Sequence, residues 1–454
     1  MRIADETNIV NRAQSAFFIG IGGISMSSLA RFYRDMGKRV SGSDKTNSEE
    51  VRALTSEGIE VFLGHDAKHV AGFDIVIYTG AVGDDNPELC EARRLGIPTL
   101  SRAEFMGGLM KNYRVRIGIS GSHGKSTATA MTAHILLKAG KDPTVMCGAH
   151  IPELNGAYRA GGGGFLFEAC EYRDSFLSFS PNVAVILNVD LDHTDYFKTI
   201  DDVISSFSKF ARISLGTGGS VIVCADDENA LLSAKTEFPI TFGLSAGADY
   251  RAVKISEKNG KCSFSVTRCD EPFIKKISLS VVGRHNIYNA LAAAATADLL
   301  GVPSDIIAEA LSDFSGISRR FEKKGDVWGA PVYVDYAHHP REIAATVDTA
   351  RKMCRGKLIT VFEPHTYSRT KALWGGFVSA FSGVDVKIFT DVYAARETDM
   401  LGVSSKQLAK EAGGEYASSY EAAARRVKQL AKEGDMVLII GAGDIFRVAD
   451  MLGG

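Results

Sequence analysis

Short apolar runs alternate along the chain with longer stretches in which apolar residues recur at helical spacing. The runs predict buried strands, and the stretches between them predict helices packed against those strands. Asn86-Pro87 and the capping box Ser101-x-x-Glu104 predict two helix starts. In the first part of the chain the strand runs lie at residues 15–21, 39–43, 59–63, 74–78 and 97–100. Repetition of strand and helix in this order predicts a parallel sheet.

The same alternation continues through the rest of the chain. Residues 250–282 instead alternate polar and apolar positions, which predicts a small antiparallel patch, and residues 286–300 predict an alanine-rich helix. Further strand runs lie at residues 115–120, 165–169, 183–189, 220–225, 332–335, 358–362, 386–390 and 436–440. We therefore predict an α/β fold with three domains, at residues 1–112, 113–314 and 315–454.

Composition narrows the class of protein. The chain has 454 residues, of which 45% are hydrophobic and 23% are charged, and its formal net charge of −2 gives no reason to expect a nucleic-acid partner. No apolar run has the length of a membrane span, and the polar first residues lack the apolar core of a signal peptide. The seven cysteines form no CxxC pair, which favours reduced thiols in the cytoplasm over a zinc site.

The most informative segment is Gly121-Ser122-His123-Gly124-Lys125-Ser126-Thr127, which follows a strand run and precedes a helical stretch. Backbone N–H groups at a helix N-terminus bind phosphate, a lysine adds positive charge, and a serine hydroxyl can ligate Mg²⁺. The common P-loop has glycine where Ile119 stands, so this loop is shorter. A capped helix start with a solvated lysine is the alternative, but the flanking elements favour ATP. The middle domain is therefore predicted to be a P-loop-type ATPase domain with a mostly parallel sheet.

A second glycine loop follows the first strand run. Gly20-x-Gly22-x-x-Ser25 resembles a dinucleotide fingerprint with serine at the third glycine, and Asp44 ends the next run, where a ribose-binding acid is expected. NAD fits this pattern, and a UDP-sugar fits it equally well. A glycine turn that only packs strand against helix is a third interpretation. The loop predicts a Rossmann-like N-terminal domain that binds a diphosphate at a helix N-terminus.

Acidic residues and a histidine follow two strand runs of the middle domain. They are Glu168, Glu171 and Asp174, and then Asp190, Asp192, His193 and Asp195. The carboxyl ends of strands form the ligand-binding edge of an open α/β sheet. Carboxylates and an imidazole beside a phosphate loop indicate Mg²⁺ coordination. We predict that Glu171 and His193 bind the metal, and that Asp174 and Asp195 are ordinary solvated acids.

Polar clusters also follow strands of the third domain, which is predicted to be Rossmann-like as well. The turn Asp335-Tyr336-Ala337-His338-His339-Pro340 joins a strand to a helix, and His365 and Arg369 follow the next strand run. Adjacent histidines on a turn seldom reach one ion. A substrate or phosphate contact is therefore favoured over a metal site for His338 and His339.

Two further features lie near the predicted hinge at residue 314. Arg319-Arg320 can clamp a phosphate, or it can be a solvated linker. Asn286 and Asn289 open the alanine-rich helix on one face, after His285. Spacing alone favours a helix cap for Asn286, and recognition of adenine by both amides is the alternative.

Taken together, these motifs resemble the Mur ligase family over nearly the whole chain. The order of the segments, more than any one of them, makes the resemblance specific. They are GIGGISMSSLA (20–30), SGSD (41–44), GSHGKSTAT (121–129), EACEYRDSFL (168–177), NVDLDHTDYF (188–197), GRHNIYNALAA (283–293), SRRFE (318–322), DYAHHPREI (335–343), FEPHTYSRT (362–370), DVYAARE (391–397) and GAGDI (441–445). Thr366 and Cys170 depart from the family pattern, since many relatives carry arginine and aspartate there.

The resemblance implies a role for each matching residue. It assigns ATP to residues 121–127 together with His285, Asn286, Asn289, Arg320 and Asp335. It assigns Mg²⁺ to Ser126, Glu171 and His193. It assigns the other substrates to Gly20, Gly22, Gly23, Ser25, Ser43, Asp44, His123, His365 and Arg369. Catalysis would rest on Lys125, Glu171, His338, His339 and Arg369, with His338 or His339 as the candidate base.

The resemblance also implies a reaction. The alanine-adding branch is a set of cytoplasmic enzymes of peptidoglycan precursor synthesis, and this chain is expected to be a monomer or weak homodimer. Its three domains would bind a UDP-sugar, ATP and an amino acid, and would close about hinges near residues 112 and 314. ATP, with Mg²⁺, would convert the lactyl carboxylate of UDP-N-acetylmuramate to an acyl phosphate that L-alanine attacks. A ligase that recycles a tripeptide onto the same UDP-sugar and an NAD-dependent oxidoreductase are the alternatives.

Overall fold

The structure, a computed structural model, describes residues 3–235, 238–395, 397–398 and 402–453, so Arg396 of the DVYAARE segment lies outside the described residues. The chain divides into two compact units. The first comprises Met1–Val189, Ile204–Thr241 and Ala292–Ile306, and the second comprises Asp190–Val203, Phe242–Leu291 and Ile307–Gly454. The domain boundaries expected near residues 112 and 314 remain predictions.

A five-stranded parallel sheet forms the N-terminal part of the first unit. Its strands are β1 (Ser15–Ile19), β2 (Arg39–Asp44), β3 (Glu60–Leu63), β4 (Ile75–Tyr78) and β5 (Thr99–Ser101). The helices are α1 (Ile3–Arg12), α2 (Ile24–Asp35), α3 (Glu49–Ser56), α4 (Pro87–Arg94) and α5 (Arg102–Met110). The strand order β3-β2-β1-β4-β5 confirms the Rossmann-like prediction. Because the order reverses beside β1, a ligand crevice is expected at the carboxyl end of that strand.

A second sheet carries the phosphate loop. Its strands in the first unit are β6 (Arg116–Ser120), β7 (Thr144–Ile151), β8 (Gly156–Arg159), β9 (Phe165–Glu168), β10 (Val183–Ile186) and β11 (Ser220–Cys224). The associated helices are α6 (Lys125–Lys138), α7 (Ile200–Gly216) and α8 (Glu228–Ser233). The order is β11-β10-β6-β9-β7-β8, and only β8 runs antiparallel to its neighbour among the pairings described here. The hydrophobic pattern of the sequence did not predict β7 or β8.

The antiparallel patch predicted at residues 250–282 is confirmed. It follows β12 (Ile240–Gly243) and consists of β13 (Tyr250–Lys258), β14 (Lys261–Arg268) and β15 (Glu271–Val282). Asn259 and Gly260 join β13 to β14 and both have positive φ, at 50° and 72°, as a tight hairpin turn requires. The helices that follow are α9 (His285–Leu299) and α10 (Ser304–Asp313).

The C-terminal part of the second unit is a six-stranded sheet. Its strands are β16 (Glu322–Val327), β17 (Ala330–Asp335), β18 (Leu358–Phe362), β19 (Val386–Phe389), β20 (Glu415–Tyr416) and β21 (Met436–Ile440). The helices are α11 (Pro340–Met353), α12 (Tyr367–Ala372), α13 (Trp374–Ala380), α14 (Ser405–Glu411), α15 (Tyr420–Leu430) and α16 (Arg447–Leu452). The order is β16-β17-β21-β18-β19-β20, parallel except for β16.

Side chains of this sheet alternate between two apolar cores. Ile359 and Val361 of β18 pack into one core, and Leu358 and Phe362 pack into the other. A strand buried on both faces in this way lies inside a doubly wound layer of helices, sheet and helices. None of the helices in the described part of the chain combines the length and apolar character needed to cross a lipid bilayer.

Candidate nucleotide and ligation sites

The phosphate loop lies between the end of β6 and the start of α6. Gly124 is the N-cap of α6, has a positive φ of 85°, and supplies no side-chain cap. The N–H groups of the first helical turn are therefore free of a side-chain cap and suit an anion. Gly121 has a φ of 140°, and a Cβ there would lie 2.9 Å from Cβ of Leu187. The loop thus needs glycine at both positions, and its cradle fits the phosphates of ATP.

Asn188, which the sequence reading did not single out, fixes this loop. Its side chain accepts a hydrogen bond from the N–H of His123 at 2.8 Å and donates one to the His123 carbonyl at 3.0 Å. The carbonyl of Asn188 also accepts from the N–H of Ser122 at 3.1 Å. Since Asn188 follows β10, it ties the loop to the neighbouring strand. The predicted contact of the His123 ring with substrate remains a prediction.

Lys125 is buried under the loop. Its Nζ donates to the carbonyls of Gly121 and Ser122 at 2.5 and 3.2 Å, and lies 3.0 Å from Oε2 of Glu171. Burial alone would lower the pKa of Lys125, but Glu171 reverses this effect and holds the pKa above its ordinary value. The lysine is therefore a fixed positive charge at the start of α6, as binding to phosphate requires.

Two glutamates divide the contacts of this site. Glu171 pairs with Lys125, whereas Glu168 accepts from the Ser126 hydroxyl at 3.0 Å and from the Gly148 N–H at 2.7 Å. Glu168 belongs to the acidic group that follows a strand run in the sequence, but it is not among the residues predicted to bind Mg²⁺. Hydroxyl and carboxylate oxygens are the ligands that Mg²⁺ prefers, so this donor set fits the ion. His193 belongs to the second unit, and the proposed metal set of Ser126, Glu171 and His193 remains a prediction.

The N-terminal glycine loop is held by the end of β2. The Ser43 carbonyl accepts from the N–H groups of Gly20 and Ile21 at 2.8 and 3.0 Å, and Asp44 Oδ2 accepts from the Gly22 N–H at 2.9 Å. Gly23 caps α2 without a side-chain hydrogen bond. Asp44, predicted near a ribose, is thus also the residue that shapes the loop. The first turn of α2 is open to a diphosphate.

Ser43 is predicted to contact substrate, and that contact remains a prediction. Its side chain is fully buried, and its hydroxyl donates to Oε2 of Glu88 at 2.6 Å. The same carboxylate lies 2.7 and 2.8 Å from Nδ1 of His65 and His69. Ser43 therefore supports the loop through its carbonyl, and its hydroxyl belongs to an internal polar network.

We expect Gly22→Ala to weaken binding of the UDP-substrate. A Cβ at residue 22 would lie 2.7 Å from Cγ2 of Val51 and 2.9 Å from Oδ2 of Asp44, so the loop must shift. Overpacking of this kind costs about 1–3 kcal/mol, which lowers affinity roughly 5- to 150-fold if the bound loop is strained by that amount. Calorimetric titration of UDP measures the effect. Gly216→Ala, where a Cβ meets nothing within 4 Å, is the matched control and should bind UDP normally.

The second unit assembles a ligation cluster, which we define as Asp192, His338, His365 and Arg369. Arg369 Nε donates to Asp192 Oδ1 at 2.9 Å, and its Nη1 donates to His365 Nδ1 at 3.0 Å. The rings of His338 and His365 lie 5.8 Å apart between centroids. The structure thus brings together three residues that are predicted site residues. It adds Asp192, which belongs to an acidic group in the sequence but has no predicted site role.

Burial controls the charges of the ligation cluster. It lowers the pKa of His338 to about 4 and that of His365 to about 3, so both rings are neutral at pH 7. Burial alone would raise the pKa of Asp192, but Arg369 holds that pKa well below its ordinary range. His338 Nδ1 lies 3.0 Å from the Tyr336 carbonyl, to which a neutral ring donates. Its Nε2 then carries the lone pair that can accept a proton.

His339 has a structural role that was not predicted from the sequence. Its Nδ1 accepts from the Arg341 N–H at 3.3 Å and caps α11, and Glu342 completes the capping box. The side chain is buried, at 4% exposure. His338 is therefore the better candidate base of the two. The choice between them as a catalytic residue remains a prediction.

Asp335 and Arg319 organise the turn that begins the third predicted domain. Asp335 accepts from the N–H groups of Phe321 and Ala337, each at 2.8 Å, and burial raises its pKa. Arg319 donates to the carbonyls of Gly441 and Gly443 at 3.0 and 2.7 Å. Both side chains fix backbone segments of the second unit. The ATP contacts predicted for Asp335 and for Arg320 remain predictions.

The asparagines at the start of α9 bond to each other. Asn286 donates to the Val282 carbonyl at 2.7 Å, and Asn289 donates to Oδ1 of Asn286 at 2.9 Å. Because α9 begins at His285, Asn286 is not the N-cap that spacing favoured. The adenine contacts assigned to these amides, and to the exposed His285, remain predictions.

An open cavity of about 370 Å³ lies near the ligation cluster in the second unit. Tyr393 lines it, and the Tyr393 ring stacks on His365 at 5.6 Å between centroids. Glu363 also lines the cavity, and burial raises its pKa to about 7. Tyr420 donates its hydroxyl to Glu363. Neither Glu363 nor Tyr393 could be found from the sequence, because each depends on packing between distant segments.

Three family profiles match the chain in order. They are described as "Mur ligase family, catalytic domain" over residues 16–114, "Mur ligase middle domain" over 119–297 and "Mur ligase, glutamate ligase domain" over 319–443. The UDP-N-acetylmuramate–L-alanine ligase of Caldicellulosiruptor saccharolyticus is 46% identical over 444 residues, which cover 96% of this chain and 97% of that protein. The ligase of the same name from Clostridium novyi is 44% identical, with 96% of each chain covered.

Solved structures give the same likeness. The UDP-N-acetylmuramate–alanine ligase of Thermotoga maritima superposes with a TM-score of 0.83 at 30% identity, covering 96% of this chain and 98% of its own. A murein peptide ligase from Psychrobacter arcticus superposes with a TM-score of 0.75 at 25% identity, covering 97% and 99%. The likeness therefore extends over all three matched segments.

Proposed function

The chain belongs to the Mur ligase family, and from that premise we propose that it joins UDP-N-acetylmuramate to L-alanine. ATP supplies the driving force and is converted to ADP and phosphate. The observation that carries the proposal is the buried Lys125–Glu171 pair under an uncapped glycine loop, in a chain similar over its whole length to alanine ligases. The place of the reaction is peptidoglycan precursor synthesis in the cytoplasm.

The first step activates the substrate. An oxygen of the lactyl carboxylate attacks the γ-phosphorus of ATP, the bond from that phosphorus to the bridging oxygen breaks, and ADP leaves. The step brings anionic groups together, so it depends on fixed positive charge and aligned N–H groups. Lys125 and the first turn of α6 supply both. Ser126, Glu168 and Glu171 are the residues that would hold Mg²⁺, which would supply positive charge to the phosphates.

The second step forms the amide. The neutral amine of L-alanine attacks the acyl carbon, the carbon–oxygen bond to phosphate breaks, and the nitrogen loses a proton. Nε2 of His338 is the proposed proton acceptor, since its ring is neutral at pH 7 and Nδ1 faces the Tyr336 carbonyl. We assign to Arg369, which donates a hydrogen bond to Asp192, the stabilisation of negative charge on the reacting acyl group.

Phosphate release with a panel of acceptors tests the proposal. Release should require ATP, UDP-N-acetylmuramate and an amino acid together, with L-alanine preferred over serine and glycine. Release with a tripeptide but not with L-alanine would instead identify a recycling ligase. The alanine activity is favoured because the relatives at 44–46% identity carry that name, whereas the murein peptide ligase is 25% identical.

Chelation of divalent ions tests the metal. EDTA should reduce phosphate release to background, and added Mg²⁺ should restore it, because the γ-phosphate oxygens need a counter-charge in the first step. UDP binding, measured by calorimetry in the same buffer, should survive chelation. Full activity in excess EDTA would contradict the metal assignment.

A further inference from the structure

Arg102 occupies a position that no assigned role explains. It is the first residue of α5 and follows β5, so it lies at the carboxyl edge of the N-terminal sheet, as the Gly20–Ser25 loop does after β1. The capping box of Ser101 and Glu104 fixes this helix start, with hydrogen bonds of 3.3 and 2.7 Å. The edge formed by β1, β4 and β5 is where an open parallel sheet binds its ligand.

The guanidinium of Arg102 reaches the glycine loop directly. Its Nη1 donates to the Ser25 hydroxyl at 3.0 Å, and Ser25 is in the first turn of α2. That turn has no acidic residue and no side-chain cap. A positive side chain and uncapped N–H groups therefore face the same small region.

Arg102 also lacks the partner that a partly buried arginine usually has. Among the described residues it makes no ion pair, and its hydrogen bond to Ser25 is its single one. Arg31 on the other side of α2 shows the contrast, since Glu50 and Glu57 both pair with it. Burial lowers the pKa of Arg102, and Glu168 and Cys170 oppose this effect only in part. An anionic ligand would supply the missing counter-charge.

We propose that Arg102 binds the diphosphate of the UDP-linked substrate, together with the first turn of α2. This inference rests on the proposed function for the identity of the substrate, but the diphosphate chemistry follows from the loop and the arginine. A planar guanidinium can donate two parallel hydrogen bonds to two phosphate oxygens, whereas a lysine ammonium acts as a point charge without this fixed geometry. Arg102 thus joins the substrate-binding residues, among which sequence analysis did not place it.

Calorimetric titration of the full-length protein tests this role with three ligands: UDP, UMP and ATP. Arg102→Met should weaken UDP binding about 10- to 100-fold, the loss expected for hydrogen bonds to a charged group. UMP, which has one phosphate, should lose less, and ATP should bind as in the wild type. Arg102→Lys should recover part of the loss. The control Arg94→Met, at a side chain 68% exposed on α4, should leave all three affinities unchanged.

Three outcomes would overturn the inference, and a fourth would overturn only the proposed function. Wild-type affinity for UDP in Arg102→Met would remove the arginine from the site. An equal loss for ATP would indicate a general effect on the fold, and a thermal unfolding scan of both variants checks this. A loss confined to UDP-N-acetylmuramate, with UDP unaffected, would assign Arg102 to the lactyl carboxylate. If the wild type binds UDP but releases no phosphate with UDP-N-acetylmuramate and L-alanine, the proposed function fails while the arginine result stands.

Discussion

Lys125→Met is expected to abolish ligation while leaving UDP binding intact. The lysine is the one cation that the structure buries against the phosphate loop of the first unit among the residues described, with Nζ 2.5 Å from the Gly121 carbonyl. Loss of a preorganised donor to developing negative charge lowers turnover by about 10²- to 10³-fold. Steady-state phosphate release measures turnover, and calorimetric titration measures UDP binding.

The variant needs a control because Glu171 loses its partner. Removing one member of a buried ion pair costs about 3–5 kcal/mol, so part of the loss could reflect unfolding. The double variant Lys125→Met/Glu171→Gln removes the uncompensated carboxylate and should regain stability without regaining turnover. Lys138→Met, at an exposed position of the same helix, should behave as wild type. Turnover within threefold of the wild type, or loss of UDP binding in a folded Lys125→Met protein, would refute the domain assignment.

Arg369→Met is expected to have the second largest effect. Arg369 and Asp192 are buried, with side-chain exposures of 8% and 6%, and the variant leaves Asp192 without its counter-charge. The free energy of unfolding should fall by about 3–5 kcal/mol, and turnover should fall with it because His365 loses its hydrogen bond. Chemical denaturation at neutral pH measures the first effect. Arg426→Met, which breaks the exposed pair with Glu415, should change the unfolding free energy little.

The pH dependence of the Arg369→Met effect has a definite sign. In the wild type the pKa of Asp192 is lowered by Arg369, so its contribution to stability is present above the ordinary value of 3.8 and is lost as the pH falls through the folded value. In the variant, burial raises that pKa, and the penalty disappears when the carboxyl is protonated. The difference in unfolding free energy between wild type and variant should therefore become smaller as the pH falls toward 3.8. A difference that widens in acid would contradict the pairing.

Sequence patterns predicted the central strands well because those strands are buried on both faces. β18 and β21 are predicted to the residue, since each is a short apolar run between polar turns, interrupted only by Thr360 in β18. β7 and β8 were missed because their apolar character is weak and is interrupted by glycine and histidine. The helix starts at Asn86 and Ser101 were predicted correctly from capping chemistry, which is local.

Candidate site residues can be proposed from the sequence where the chemistry is local to one loop. The loop at residues 121–127 carries its own glycines and lysine, so a phosphate-binding role can be predicted for it directly. The residues that hydrogen-bond to these site residues could not be predicted. Asn188, Glu168 and Asp192 form their hydrogen bonds only when segments distant in the sequence come together in the fold. The same limit explains Arg102, which lies 77 residues from Ser25 in the chain.

An ¹⁸O-transfer experiment tests the proposed acyl-phosphate mechanism most directly. UDP-N-acetylmuramate labelled with ¹⁸O in the lactyl carboxylate is incubated with the protein, ATP, Mg²⁺ and L-alanine, and the released phosphate is examined by mass spectrometry. We expect each released phosphate to carry one oxygen from the carboxylate, because that oxygen bridges carbon and phosphorus in the acyl phosphate. Phosphate released without ¹⁸O while the amide forms would contradict activation by phosphoryl transfer.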